Sequence, residues 1–210
     1  MKILIIIATI LLLENCTKQK SSEVQENLTT VSDSTKNVKN DSSVINKEDV
    51  IKNLNNEILE SLKSKNYAQF SQFIHPKKGV TFSMYSYLET DDKHFSKADF
   101  EKYISTNTKF TWGEKDGSGD LLVLPIKKYV EEWVFNKDFT KSDYFLNEFK
   151  GSGNSLNNIK KSFPNSDFTE NYIPGTEEYG EMDWKSLIFV FEKFDEKYYL
   201  VAVVNNSWTI

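Results

Sequence analysis

The chain has 210 residues and a net charge of −5, with 39% hydrophobic and 14% aromatic residues. This length suits one domain with a tail and is short for two domains. The pI near 5.2 and the lack of a basic cluster make nucleic acid a poor candidate for a partner. The single cysteine excludes an internal disulfide framework, so the fold must depend on its core.

The N-terminus has the pattern of a secretion signal. Lys2 precedes an apolar run from Ile3 to Leu13 that only Thr9 interrupts. A run of this length is too short to span a bilayer, which takes ~20 residues, but it suits the apolar region of a signal peptide. We therefore predict a signal peptide over residues 1–15.

Cys16 follows this run after Glu14 and Asn15. The arrangement resembles the signal of bacterial lipoproteins, whose cysteine is lipid-modified, for example with palmitate, and becomes the first mature residue. The resemblance implies lipidation of Cys16 and anchoring in the cell membrane or outer membrane, with the folded domain outside the cytoplasm. Glu14 and Asn15 depart from the small residues that the family prefers. The alternative for Cys16 is an incidental free thiol beside an ordinary signal peptide.

A polar segment follows the cysteine. Between Thr17 and Val44, Ser, Thr, Asn and Gln dominate, and aromatic residues are absent. Such a segment cannot bury enough apolar surface to offset the entropy lost on ordering. We predict that residues 16–45 are a disordered, flexible tether and that residues 46–210 form a single domain.

The folded region is predicted to begin with helices. Ile51, Leu54, Ile58 and Leu62 recur at helical spacing after Asn46, a favourable N-cap residue. A second, shorter helix is predicted from Tyr67 to Ile74, and later ones after Ser96 and Pro125.

The chain ends in the pattern of a long antiparallel hairpin. Apolar and aromatic residues alternate from Leu187 to Phe191 and from Tyr198 to Val204, on both sides of a polar turn at Lys193 to Lys197. Helices first and long strands last indicate an α+β fold. We predict N-terminal helices packed on a curved antiparallel sheet that ends in this hairpin.

Several pieces of the chain together resemble an uncharacterised family of bacterial putative lipoproteins. The resemblance covers Lys47 to Ile210, and the ending Trp208-Thr209-Ile210 is its most specific part. The other shared pieces are His75-Pro76, Gly79-Val80-Thr81-Phe82, Trp112-Gly113, Asp116-Gly117-Ser118-Gly119, Gly153-Asn154-Ser155, Asp183-Trp184 and Ser186-Leu187. The family implies location and fold and no reaction. The element order is also similar to that of the nuclear-transport-factor-2-like, cystatin-like superfamily, a likeness that implies fold alone.

The loop from Asp116 to Asp120 has the oxygen-rich composition of a calcium site. An EF-hand that starts at Asp116 would place Leu121 at its glycine position and Lys127 at its glutamate position, so this pattern fails. A turn rich in glycine and aspartate is the interpretation that we favour. We expect no metal and no cofactor.

His75, between a predicted helix and Pro76, is the histidine of interest. It either hydrogen-bonds the backbone or serves as a general acid or base, with Asp116 as a candidate partner. Candidate ligand-binding residues lie at strand ends and faces: Tyr85, Trp112, Glu170 and Trp184.

Two functions fit these observations. The first is a lipid-anchored, non-enzymatic ligand-binding or interaction module of the bacterial cell envelope, with an unidentified small molecule or protein as its ligand. The alternative is an envelope hydrolase or isomerase-like enzyme that uses His75 with a nearby carboxylate.

Overall fold

A computed structural model describes residues 46–154 and 156–209. The predicted signal peptide, Cys16 and the tether lie outside the described residues. Within the described ranges, no helix is long and apolar enough to cross a membrane.

Helices dominate the first part of the domain. They are α1 (Lys47–Lys63), α2 (Tyr67–Phe73), α3 (Lys97–Tyr103), α4 (Ile126–Tyr129), which continues as a π-turn (Val130–Val134), and α5 (Ile159–Ser162). Asn46 caps α1 by accepting the N–H of Glu48, and Ser96 caps α3 by accepting the N–H of Asp99. The predicted starts of both helices are thus confirmed.

Eight strands in the described ranges alternate with and follow these helices. They are β1 (Val80–Ser83), β2 (Lys93–Phe95), β3 (Lys109–Glu114), β4 (Leu121–Pro125), β5 (Asp143–Leu146), β6 (Asp167–Ile173), β7 (Lys185–Phe194) and β8 (Lys197–Ser207). Six of them form one sheet in the order β2-β1-β8-β7-β6-β5, and β3 pairs with β4 in a separate hairpin.

The α+β class is confirmed, and the sheet is mixed where we predicted an antiparallel one. β1 pairs in parallel with β8, while the other neighbours in the sheet are antiparallel. No short turn joins β1 to β8, so hairpin geometry does not impose a direction on this pair.

The predicted C-terminal hairpin forms the centre of the sheet. β7 and β8 are joined through Asp195 and Glu196, whose φ angles of 45° and 64° are those of a tight primed turn. The pairing register shifts between Val190 and Phe191, which indicates a β-bulge. Because of the bulge, Leu200 contributes to the same core cluster as Val203, and the strict alternation expected for β8 changes face at this point.

Both faces of the hairpin are buried. Leu187, Phe189 and Phe191 pack under the helices and the β3–β4 hairpin in the main core. Ile188 and Val190 point to the opposite face. A smaller cluster covers that face, and its members from outside the sheet are Leu88, Phe149, Ile159 and Phe163.

A buried amide network fixes α1 on the sheet. The Asn55 and Asn171 side chains exchange hydrogen bonds of 2.9 and 3.0 Å, and the Thr169 hydroxyl donates to Asn55 Oδ1 at 2.7 Å. Asn171 Nδ2 also donates to the Leu187 carbonyl. These polar groups are nearly inaccessible to solvent, so each depends on the others for its partners.

We predict that Asn55→Ala lowers the free energy of unfolding by about 2–3 kcal/mol, because buried groups on Thr169 and Asn171 lose a partner. Chemical denaturation measures this change. Asn53→Ala, on an exposed position of the same helix, is the matched control and should change stability by less than ~0.5 kcal/mol. If both variants lowered the free energy of unfolding equally, the buried amide network would make no specific contribution to stability.

Candidate functional site

His75 is buried, and its side chain accepts hydrogen bonds from backbone N–H groups. Its Nδ1 accepts hydrogen bonds from the N–H groups of Lys77 and Lys78, at 3.1 and 3.0 Å. Its ring lies against Phe194 and Tyr199. Burial lowers the pKa of His75, and the nearby Glu192 opposes this shift. The two hydrogen bonds require an unprotonated Nδ1, so the geometry is that of a neutral, structural imidazole.

The turn that follows His75 brings β1 against β2. The N–H of Gly79 donates to the His75 carbonyl at 2.9 Å. Gly79 has a φ of 70°, and a side chain there would collide with the Phe95 carbonyl. Glycine is therefore required, and His75 Nδ1 supplies the acceptor that the turn needs.

The structure does not bring His75 and Asp116 together. The His75 N–H donates to the Leu200 carbonyl, near the start of β8. Asp116 lines a cavity with Ser207 and Trp208, at the end of the same strand. The intervening part of β8 is about 20 Å long at ~3.3 Å per residue.

The loop that contains Asp116 connects β3 to β4. The Lys115 N–H donates to the Asp120 carbonyl and the Gly119 N–H donates to the Lys115 carbonyl, both at 2.9 Å. The Asp116 N–H donates to the Tyr85 hydroxyl at 2.7 Å. The loop is a hairpin turn, and its contact with Tyr85 holds it beside the sheet.

Glu170 and Trp184 both lie beside Gly151, and Glu170 is on the face of the sheet that the smaller cluster covers. The Glu170 carboxylate is inaccessible to solvent and accepts the N–H groups of Lys150 and Gly151. Burial raises the pKa of Glu170, against the opposing effect of the Ser186 hydroxyl and these N–H donors. A side chain at position 151 would come within 2.5 Å of the Trp184 ring. These two candidates hold the loop around Gly151 on the sheet.

Tyr85 and Trp112, the other two candidates, line a cleft on the helical side of the fold. Trp112 is only 3% exposed, and its ring stacks on that of Tyr129 at 3.6 Å with an interplanar angle of 3°. Its Nε1 donates to the Leu124 carbonyl. Trp112 is therefore a core residue at the floor of the cleft rather than a residue of its rim.

The cleft has a volume of about 840 Å³ and lies between the β3–β4 hairpin and the segment from Ser83 to Lys93. We call it the acidic cleft because five carboxylates and two lysines line it. These are Glu89, Asp91, Asp92, Glu114 and Asp116, with Lys93 and Lys115. In the described part of the chain, no ion pair includes Glu89, Asp91, Asp92 or Glu114.

Asp92 is the most unusual of these carboxylates. It is half-buried and accepts the N–H of Glu89 at 3.0 Å. Burial raises the pKa of Asp92 to about 6, with smaller contributions from the charges of Glu89 and Asp91. Asp92 therefore changes charge close to neutral pH, as groups in functional sites often do.

A second polar group lies beside Asp92. The Tyr129 hydroxyl is completely buried and has no hydrogen-bond partner among the described residues. Burial raises the pKa of Tyr129, and the charges of Asp92 and Tyr85 add to this shift. Both of these residues line the cleft, and Tyr129 lies behind it in the core, where its ring stacks on that of Trp112. A buried hydroxyl without a partner is costly unless water or a ligand satisfies it.

Sequence reasoning did not identify Asp92 or Tyr129 as site residues. Asp92 stands in the polar run Asp91-Asp92-Lys93-His94, which reads as a solvated loop. Tyr129 belongs to a helical apolar stripe and reads as core. Only the packing of the folded chain brings the charge of Asp92 close enough to affect Tyr129.

Two comparisons with known proteins find no match. The chain matches no model of a known protein family, and no curated protein is significantly similar to it. Its resemblance to a lipoprotein family therefore stays a prediction.

We predict that His75→Ala lowers the free energy of unfolding by about 1–3 kcal/mol, because two backbone N–H groups lose their acceptor. His75→Asn, whose Oδ1 occupies the place of Nδ1, should recover part of this loss. Denaturation curves of the three proteins measure the difference.

The pH dependence gives a second readout of the same change. A folded-state pKa below 6.5 means that His75 contributes stability above pH 6.5 that is lost as the pH falls. The stability of the His75→Asn protein should therefore fall less than that of the wild type as the pH is lowered. His94→Ala, at an exposed histidine, is the control. An unchanged stability of His75→Ala would contradict the structural role.

Proposed function

We propose that the protein is a lipid-anchored binding module of the bacterial cell envelope and that it binds an organic cation in the acidic cleft. The observation that supports binding is that Glu89, Asp91, Asp92 and Glu114 all line the cleft and that none of them forms an ion pair with a described residue. Carboxylates that lie close together without a countercharge raise the free energy of the folded state. A positively charged ligand relieves this repulsion and gains their attraction in return.

The cleft favours an organic cation over a bare metal ion. Among the described residues, no group of three His, Cys, Asp or Glu side chains is arranged to hold a metal. The cleft also presents aromatic surfaces, since Tyr85 and Tyr87 line it beside the carboxylates. Aromatic faces attract cations and pack against apolar groups of a ligand.

The geometry supports binding better than catalysis. Neither histidine lines the cleft, and His75 is committed to the backbone. An envelope hydrolase or isomerase-like enzyme remains the second candidate. Its acid–base group in this fold would be Asp92 rather than His75, because Asp92 has a pKa of about 6 and lines the cleft.

The envelope location is supported by the N-terminal sequence alone. We predict that Cys16→Ser releases the full-length protein from membranes and abolishes its labelling by a fatty-acid analogue in cells. Fractionation and in-gel fluorescence measure the two effects, with Ser21→Ala as the control variant. A wild-type protein that stays on membranes without a label would overturn the lipid anchor and leave the cleft unaffected.

For the cleft, we predict that benzyltrimethylammonium, a permanently charged aromatic cation, binds measurably and that the neutral benzyl alcohol does not. Binding should strengthen about fivefold or more between pH 5 and pH 7.5, because Asp92 ionises in this range and the cation prefers the carboxylate. Calorimetric titration at each pH provides the affinities.

Asp92→Asn should weaken the binding of this cation and remove most of its pH dependence. His94→Gln is the matched control, because His94 is exposed, lies two residues from Asp92 and does not line the cleft. Binding that does not depend on pH in the wild type, or that is unaffected by Asp92→Asn, would place the cation elsewhere and contradict the proposal.

A further inference from the structure

A second cavity adjoins the acidic cleft at the end of β8. It has a volume of about 350 Å³ and shares Met84, Tyr85, Lys115, Asp116 and Thr209 with the cleft. We call it the β8-end cavity. The shared residues, at Tyr85 and the Asp116 loop, make the two cavities neighbours on the surface of the domain.

The β8-end cavity differs from the acidic cleft in charge. Lys185 lines it, half-buried, and forms no ion pair with a described residue. Burial lowers the pKa of Lys185, and the neighbouring charge of Lys137 adds to the shift while Asp183 opposes it. A partly desolvated ammonium group without a carboxylate partner is a favourable position for an anionic group of a ligand.

The same cavity holds an unsatisfied acceptor. Asn205 Nδ2 donates to the carbonyls of Trp133 and Val134, which the π-turn leaves open, at 3.1 and 3.3 Å. These two carbonyl partners fix the orientation of the amide, because a flipped side chain would direct oxygen at oxygen. Asn205 lines the cavity, and its Oδ1 is buried and has no hydrogen-bond partner among the described residues.

The edge of β8 has no described partner strand at this point, and Asn205 and Asn206 there are 9% and 7% exposed. β1 pairs with β8 only as far as Ser83 opposite Val204, and no described strand pairs with that edge from Asn205 to Ser207. An extended peptide can pair with such an edge through its backbone. Asn205 and Ser207 both line the cavity, so its wall includes this edge.

We propose that the two cavities together bind a short peptide with free termini, its amino group in the acidic cleft and its carboxylate on Lys185. This inference rests on the proposed function, because it assigns the cationic group of the ligand to a peptide N-terminus. An extended zwitterion complements this arrangement. The acidic cleft is negatively charged, Lys185 in the β8-end cavity is positively charged, and the edge of β8 lies beside Lys185 in that cavity.

Calorimetric titration at pH 7.0 tests the inference with synthetic peptides of two to five residues, each as the free acid and as the C-terminal amide. We expect the best free acid to bind at least tenfold tighter than its amide. Lys185→Met should reduce this ratio to below twofold. Lys193→Met, an exposed lysine on the same strand, should leave the ratio unchanged.

Two further readouts check the remaining contacts. N-acetylation of the peptide should weaken its binding to the wild type. The same modification should weaken binding to the Asp92→Asn protein much less. N-methylation of a central peptide amide should weaken binding if the peptide pairs with the edge of β8. Lys185→Gln serves as a second variant if the melting temperature shows that Lys185→Met is not folded.

The outcomes separate this inference from the proposed function. If benzyltrimethylammonium binds as predicted but peptide acids and amides bind equally, the peptide assignment is overturned and the cationic cleft stands. If the preference for the acid persists in Lys185→Met and Lys185→Gln, Lys185 is not the carboxylate partner and the inference fails. If neither the cation nor any peptide binds, both proposals fail.

Discussion

The pairing of β7 with β8 is the constraint on which the rest of the structure depends. Both strands are apolar on both faces, so the hairpin needs a cover on each side. The helices and the β3–β4 hairpin cover one side, and the segment around Phe149 and Ile159 covers the other. Polar contacts then fix each cover in position: the Asn55 network holds α1, and Glu170 holds the loop at Gly151.

The two ends of the β7–β8 hairpin differ in how they are covered, because β1, the neighbour of β8, is much shorter than β8. At the turn end, His75 and the strand that follows it pack against β8 and leave the ring of His75 enclosed by aromatic side chains. At the other end, β1 separates from β8 after Ser83 while β8 continues to Ser207. The cavities lie at this open end, where the sheet has strand edge without a partner strand.

Much of the fold could be predicted from local patterns, and the site only in part. Tyr85, Trp112 and Asp116 were candidates from the sequence and line the cleft, whereas Asp92 and Tyr129 were not identified. The helical stripe of α1, its Asn46 cap and the alternation of β7 depend on neighbouring residues, which a sequence displays directly. The parallel pairing of β1 with β8 and the face change at the bulge depend on contacts between distant segments. Asp92 and Tyr129 become notable only through their burial in the fold, and neither has a local pattern that indicates this.

The polar groups of the cavities are easier to explain by ligand binding than by stability. Elsewhere in the described domain, buried polar groups such as Asn55, Asn171 and Glu170 have partners that fix an element in position. Asn205 buries an unsatisfied acceptor beside the β8-end cavity, and Asp92 is partly desolvated among the carboxylates of the acidic cleft. Among the described residues, the hydroxyls of Tyr129, Tyr144 and Ser166 are also buried without a partner, and these residues do not line the two cavities. Each of these features raises the free energy of the folded state. Asn205 and Asp92 are the ones that a ligand in the cavities can stabilise directly.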